Sequence, residues 1–175
     1  MTTARRSFLA ACGLITVFAG ALPAAADPDD PAGWFLNTDP RRRAFLTYTA
    51  TAGGPRLLML ACLRDAGTFT TMSSAVGPQE TLPAAVLRLS DGASRFEATG
   101  EVSLYPRDGV ATFVSDRDAE GAAMREIGRR LMPLLKGAGD LTIDIGPAGG
   151  ETRRATVPRS GLAPLLPRFE EICFR

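Results

Sequence analysis

The chain holds three cysteines, Cys12, Cys62 and Cys173, and their placement constrains it more than any other feature. Cys12 lies in an N-terminal segment that reads as a removable secretory leader. Arg5 and Arg6 open that segment, an apolar stretch runs to Leu22, and Ala24, Ala25 and Ala26 supply the small residues of a cleavage site before Asp27. The apolar run falls short of the ~20 residues that span a bilayer. It is also broken by Gly13 and Gly20, which argues against a retained anchor. Residues 1–26 are therefore expected to be a signal peptide, cleaved near Ala26, with a periplasmic or secreted product. Cleavage would leave Cys62 and Cys173, and two cysteines in an oxidising compartment admit one intramolecular bond. The competing arrangement is a pair of buried free thiols acting as small hydrophobes. A bond closing a loop of about 110 residues contributes at most roughly 4–5 kcal/mol in the chain-entropy model. Neither cysteine belongs to a C-x-x-C, so thioredoxin-type redox chemistry is not expected.

Two further patterns in the leader are weaker. Arg5-Arg6-Ser7-Phe8-Leu9 partly matches the twin-arginine export consensus, but arginine is the default base of this chain, whose one lysine is Lys136. The general secretion route is the preferred reading. Leu9-Ala10-Ala11-Cys12 has the outline of a lipoprotein box, yet the apolar core continues past the cysteine. Beyond the leader remain about 150 residues, enough for one domain with a real core. A formal charge of +1 offers no field for collecting nucleic acid. No further apolar run reaches transmembrane length, so no membrane span is expected after cleavage.

Residues 27–40 are rich in Pro, Asp and Gly and read as an extended lead-in, with Trp34 docked as a packing anchor on a single domain over 41–175. Residues 43–49 alternate as an exposed or edge strand. Residues 56–63 are almost wholly apolar, which suits a strand buried on both faces with Cys62 inside it. Residues 68–73 follow as its hairpin partner. A second hairpin joins 85–90 to 94–104 around Asp91-Gly92. In its second strand Phe96, Ala98, Val102 and Leu104 share one face, and Gly100 marks a bulge. A short strand over 109–114 follows the turn at Pro106. Ser115 and Asp118 have capping-box spacing, and Met124, Ile127, Leu131, Leu134 and Leu135 recur at helical period up to Gly137. Strands over 141–145 and 152–157 come next. Ser160 then opens a last helix bearing Leu162, Leu165, Leu166, Phe169 and Ile172, with Pro164 and Pro167 near its start. The predicted class is α+β: a mainly antiparallel sheet or sandwich with two helices, the C-terminal helix tied to a central strand by Cys62–Cys173.

The chain has no histidine, which removes Ser-His-Asp and Cys-His catalysis, c-type haem attachment and the usual zinc sites. Its glycines lack phosphate-loop and dinucleotide spacing. No cofactor and no metal is expected. Asp116, Asp118 and Glu120 cluster where the first helix is predicted to begin. A calcium site or an acid/base pair would use such residues, but EF-hand spacing is missing and helix capping explains them. A glycosidase-like carboxylate pair drawn from distant positions stays open as an alternative. Arg41, Arg42 and Arg43, with Arg153 and Arg154, are the candidate partner-binding residues, since guanidinium groups grip carboxylates and phosphates bidentately. The competing reading makes them the wet face of edge strands.

One wider pattern is present. It comprises Trp34, the apolar strand from Leu57 to Cys62, a hairpin, and a closing stretch with Val157, Gly161, Leu162, Leu166, Phe169 and Cys173. This resembles small proteobacterial periplasmic proteins, among them the TagO/VasI-like accessory family of type VI secretion and, more distantly, the invasion-associated locus B-like exported proteins. The resemblance implies a non-enzymatic accessory role at the cell envelope and carries over no functional residue. The expected function is thus a non-catalytic exported accessory or binding protein acting through an envelope or secreted protein partner. The alternative is an envelope hydrolase using a carboxylate pair.

Overall fold

The computed structural model describes residues 28–74, 81–104 and 110–175. The leader with its Ala26 site and the turn at Pro106 lie outside the described residues. The elements run β1 (Gly33–Asp39), β2 (Arg43–Thr49), β3 (Arg56–Leu63), β4 (Thr68–Ser74), β5 (Leu82–Ser90), β6 (Arg95–Leu104), β7 (Ala111–Asp118), α1 (Ala122–Lys136), β8 (Leu141–Gly146), β9 (Arg153–Val157) and α2 (Leu166–Phe174). All strands join one antiparallel sheet in the order β1-β2-β3-β4-β7-β6-β5-β8-β9. The chain is therefore α+β and mostly β, with hairpins β3–β4 and β5–β6 where turn residues announced them.

Period-two alternation decides which side chains meet. Ala44, Leu46 and Tyr48 stand opposite Cys62, Leu60 and Leu58, which puts all six on one face. The same face continues through Leu87, Leu89, Phe96, Ala98, Val102, Phe113, Ile143 and Ile145, and both helices press their apolar stripes into it. Helix α2 lies against β2 and α1, and α1 lies against β6. Burial of each large aliphatic side chain there contributes about 1.5–3 kcal/mol relative to exposure. The sheet curls around the helices until Trp34 Nε1 on one edge strand donates to the carbonyl of Pro158, just past the other, at 2.6 Å. On the opposite face Met59, Ala61 and Met72 form a smaller cluster with Phe45 and Val114, so β3 is buried on both sides. Cys62 on β3 and Cys173 on α2 are bonded, their Cα atoms 5.7 Å apart and 111 residues distant in sequence.

Five expectations are corrected. Most of the expected lead-in over 27–40 is strand, because β1 (Gly33–Asp39) pairs with the whole of β2. It is also pinned by Asp30, which is buried and accepts from Arg56 Nε at 2.8 Å. Strand β2 accordingly has neighbours on both sides and is not an edge. Ser115 and Asp118 belong to β7, which runs beyond 114 because β4 offers it a ladder as far as Thr68↔Asp118. Helix α1 starts after Gly121 with no side-chain cap. The last helix begins at Leu166 instead of Ser160, since Pro167 suits a first turn whereas Pro164 precedes it in a run of turns. Leu104, expected on the buried face of β6, is 49% exposed.

Candidate functional site

The residues singled out in the sequence do not converge. Arg41 and Arg42 occupy the β1–β2 turn, where the Asp39 carboxylate accepts from the backbone N–H of Arg41 and of Arg43. Arg43 is held by Asp65, with Nε 2.9 Å from Oδ1, and this hydrogen bond raises the guanidinium pKa and lowers that of Asp65. Arg153 and Arg154 lie on β9 at the far end of the strand order, and Arg154 is taken by Asp144 at 2.7 Å. The two runs thus stand apart, with Arg43 and Arg154 already engaged. Asp116 accepts from Thr70 Oγ1 at 2.6 Å, and the Glu120 side chain lies against Gly67. Among the described residues no group of three or more acids and cysteines is arranged to hold a metal ion.

A site does form where β6 and β7 part. Strand β6 is paired with β5 from Arg95 to Val102, and with β7 only from Glu101 to Leu104. Beyond Val114, β7 stays with β4 and leaves β6. The fork is set by Gly100, where a Cβ would sit 2.0 Å from the Val114 carbonyl oxygen; only glycine lets the two backbones meet there before diverging. Ser115 Oγ donates across the root of the fork to the Thr99 carbonyl at 2.7 Å. Gly100 was read from sequence as a bulge, and the register shift lies on the facing strand between Leu82 and Ala85.

The opening is a cleft of about 460 Å³ floored by Phe96 and Ile127 and rimmed by Arg95, Glu97, Arg117 and Arg130. Helix α1 closes it from behind through Glu126, Ile127 and Arg130. Its acids are neutralised. Glu97 accepts from Arg88 at 2.8 Å and pairs with Arg95, and these bonds hold its carboxyl below the usual range. Glu126 is lowered likewise by Arg130 at 2.8 Å and by Arg129. Arg117 makes no ion pair with any described residue and is exposed. Sequence reading passed over Arg95, Arg117 and Arg130 because no local pattern links them. The one available signal was an arginine on each of three amphipathic elements.

A hollow of about 700 Å³ also runs between α1 and α2 beside Gly128, Met132 and Phe174 and is open to solvent. The geometry defines a disulfide-tied, β-rich α+β domain with an arginine-rimmed fork in its sheet. No family model, no curated protein and no solved structure matches this chain.

Proposed function

We propose that this is an exported, non-catalytic accessory protein that works at the cell envelope by holding a protein partner in the β6–β7 cleft. The observation that carries the reading is a stretch of β6, Arg95–Thr99, whose β7-facing edge no described strand pairs, bordered by arginines whose neighbouring acids are already ion-paired. Such a surface attracts and orients a partner. Support for export comes from the leader and from the Cys62–Cys173 bond, which persists in oxidising compartments. The resemblance to periplasmic accessory proteins points the same way.

The hydrolase alternative needs a carboxylic acid with a raised pKa to protonate a leaving group. Asp65, Asp91, Glu97, Glu126 and Glu170 are all shifted down, each by hydrogen bonds that favour the ionised form. These five are poor proton donors. A photo-crosslinking residue at Thr99, expressed in the native cell, tests the proposal against the same residue at Thr156 on β9. A defined partner band from Thr99 alone, in the periplasmic fraction, is expected. Equal labelling from both positions, or a cytoplasmic product with its leader intact, would overturn it.

A further inference from the structure

We infer that the occupant of this cleft is an extended, acidic peptide segment that adds to the sheet as a strand beside β6, an inference that rests on the binding reading above. The first support is backbone geometry. In an antiparallel strand alternate residues direct both N–H and C=O to the same neighbour. Thr99 turns its carbonyl toward β7, since it accepts from Ser115 there. Arg95 and Glu97 share its parity, so their backbone groups face the fork as well. No described strand pairs with them on that side, because the β6–β7 ladder begins at Glu101. The free edge from 95 to 99 spans about 16 Å at ~3.3 Å per residue, enough for a partner strand of about five residues. Strand addition at such an edge supplies affinity from main-chain bonds, and the flanking side chains supply selectivity.

The second support is charge. Arg95, Arg117 and Arg130 border the cleft, and Arg88 and Arg129 complete the pairs with Glu97 and Glu126. Three guanidinium groups therefore line the cleft against two carboxylates that Arg88 and Arg129 also pair from outside it, and Arg117 makes no ion pair with any described residue. The surplus favours a strand carrying carboxylates at alternate positions, which guanidinium groups grip as a planar fork. Arg117 stands opposite Phe69 in the ladder and so shares the core face with Phe96 and Ile127, whereas Arg95 lies on the other face. An acidic strand with threonine at every second residue can turn its carboxylates to the face of Arg117 and Arg130.

The test uses the oxidised full-length protein and a fluorescein-labelled peptide of four Thr-Glu repeats, followed by anisotropy at low salt. Binding is expected, with a Thr-Lys peptide at least about tenfold weaker. A Thr-Glu peptide N-methylated at alternate residues should also lose about tenfold, because it cannot complete the ladder. Arg117→Glu should weaken the Thr-Glu peptide while leaving the melting temperature unchanged, and Arg130→Glu should weaken it with a small drop in melting temperature, since it also breaks the pair with Glu126. Amides of Arg95 and Glu97 should exchange more slowly in the complex. The inference is overturned by absent binding at millimolar peptide, by equal affinity of the N-methylated peptide, or by indifference to both charge reversals. If the peptide fails while the Thr99 crosslink persists, the strand-addition inference falls and the binding reading stands. If the crosslink fails as well, both fall.

Discussion

Arg159 shows how one side chain holds two elements together. Its guanidinium donates to the carbonyls of Leu134, at 2.6 Å, and Gly139, at 2.7 Å, and to that of Ala138, while it pairs with the carboxylate of the half-buried Asp91 at 2.9 Å. It thus caps the C-terminus of α1 and clamps the β5–β6 turn. Backbone donors at Ser94 and Ala93 also bind Asp91, and with Arg159 they hold its carboxyl below the usual range. Arg159→Ala should lower stability, because the α1 carbonyls and the Asp91 carboxylate lose their shared cation. Arg159→Lys should recover little, since a point charge cannot reach the same set of acceptors. Urea denaturation midpoints with an unchanged slope check both. Gly128 supplies a second case: a Cβ there would lie 2.6 Å from Phe174 Cγ. Alanine gains about 1 kcal/mol of helix propensity, but overpacking against a wedged ring costs about 1–3 kcal/mol. Gly128→Ala should therefore destabilise, and the double change Gly128→Ala with Phe174→Ala should show strong non-additivity in the same assay.

At the level of elements, strand identities were legible where local chemistry was unambiguous. The run Arg56–Leu63 announced a doubly buried strand, and Asp91-Gly92 announced its hairpin. The start of α1 misled for a definable reason: Ser115 and Asp118 have capping spacing, yet β4 competes for the same residues and offers a full ladder. A tertiary partner outweighed a local signal. The candidate cleft was not legible at all, because it depends on β7 lying between β4 and β6, a pairing no short-range pattern encodes. The bond between β3 and α2 was one of two readings left open by the cysteine count once the leader is removed, the other being buried free thiols, and it is the one that forms. Replacing Cys62 and Cys173 by serine should lower stability by about 2–5 kcal/mol, read as a drop in melting temperature that reductant produces in the native protein and not in the variant. Gly100→Ala should distort the junction of β6 with β7 and destabilise by more than about 1 kcal/mol, as replacing a glycine at a close backbone approach requires.

For the molecule as a whole, acid is the condition that tests the arginine–carboxylate network. Asp65, Asp91, Glu97, Glu126 and Glu170 have folded pKa values depressed from ordinary values of 3.8 for Asp and 4.5 for Glu. A depressed carboxyl contributes stability that is complete above the unfolded pKa and is lost as pH falls through the folded one. Stability should therefore be level near neutrality and decline below about pH 4.5. Asp91→Asn should flatten that decline while lowering the plateau, as followed by unfolding curves at stepped pH. High salt should have little effect at neutral pH, because most of the other pairs lie at the surface and each is worth under about 1 kcal/mol.

Trp34 is the single tryptophan, and its indole joins the two ends of the strand order while packing at a tilt against the Tyr48 ring, centroids 5.3 Å apart. The protein thereby carries an optical gauge at its own seam. Emission from that indole will redden when water reaches the Pro158 junction, whether or not the rest of the sheet has yielded. A spectral shift that precedes the loss of far-ultraviolet ellipticity would show the curl opening like a clasp before the strands come apart.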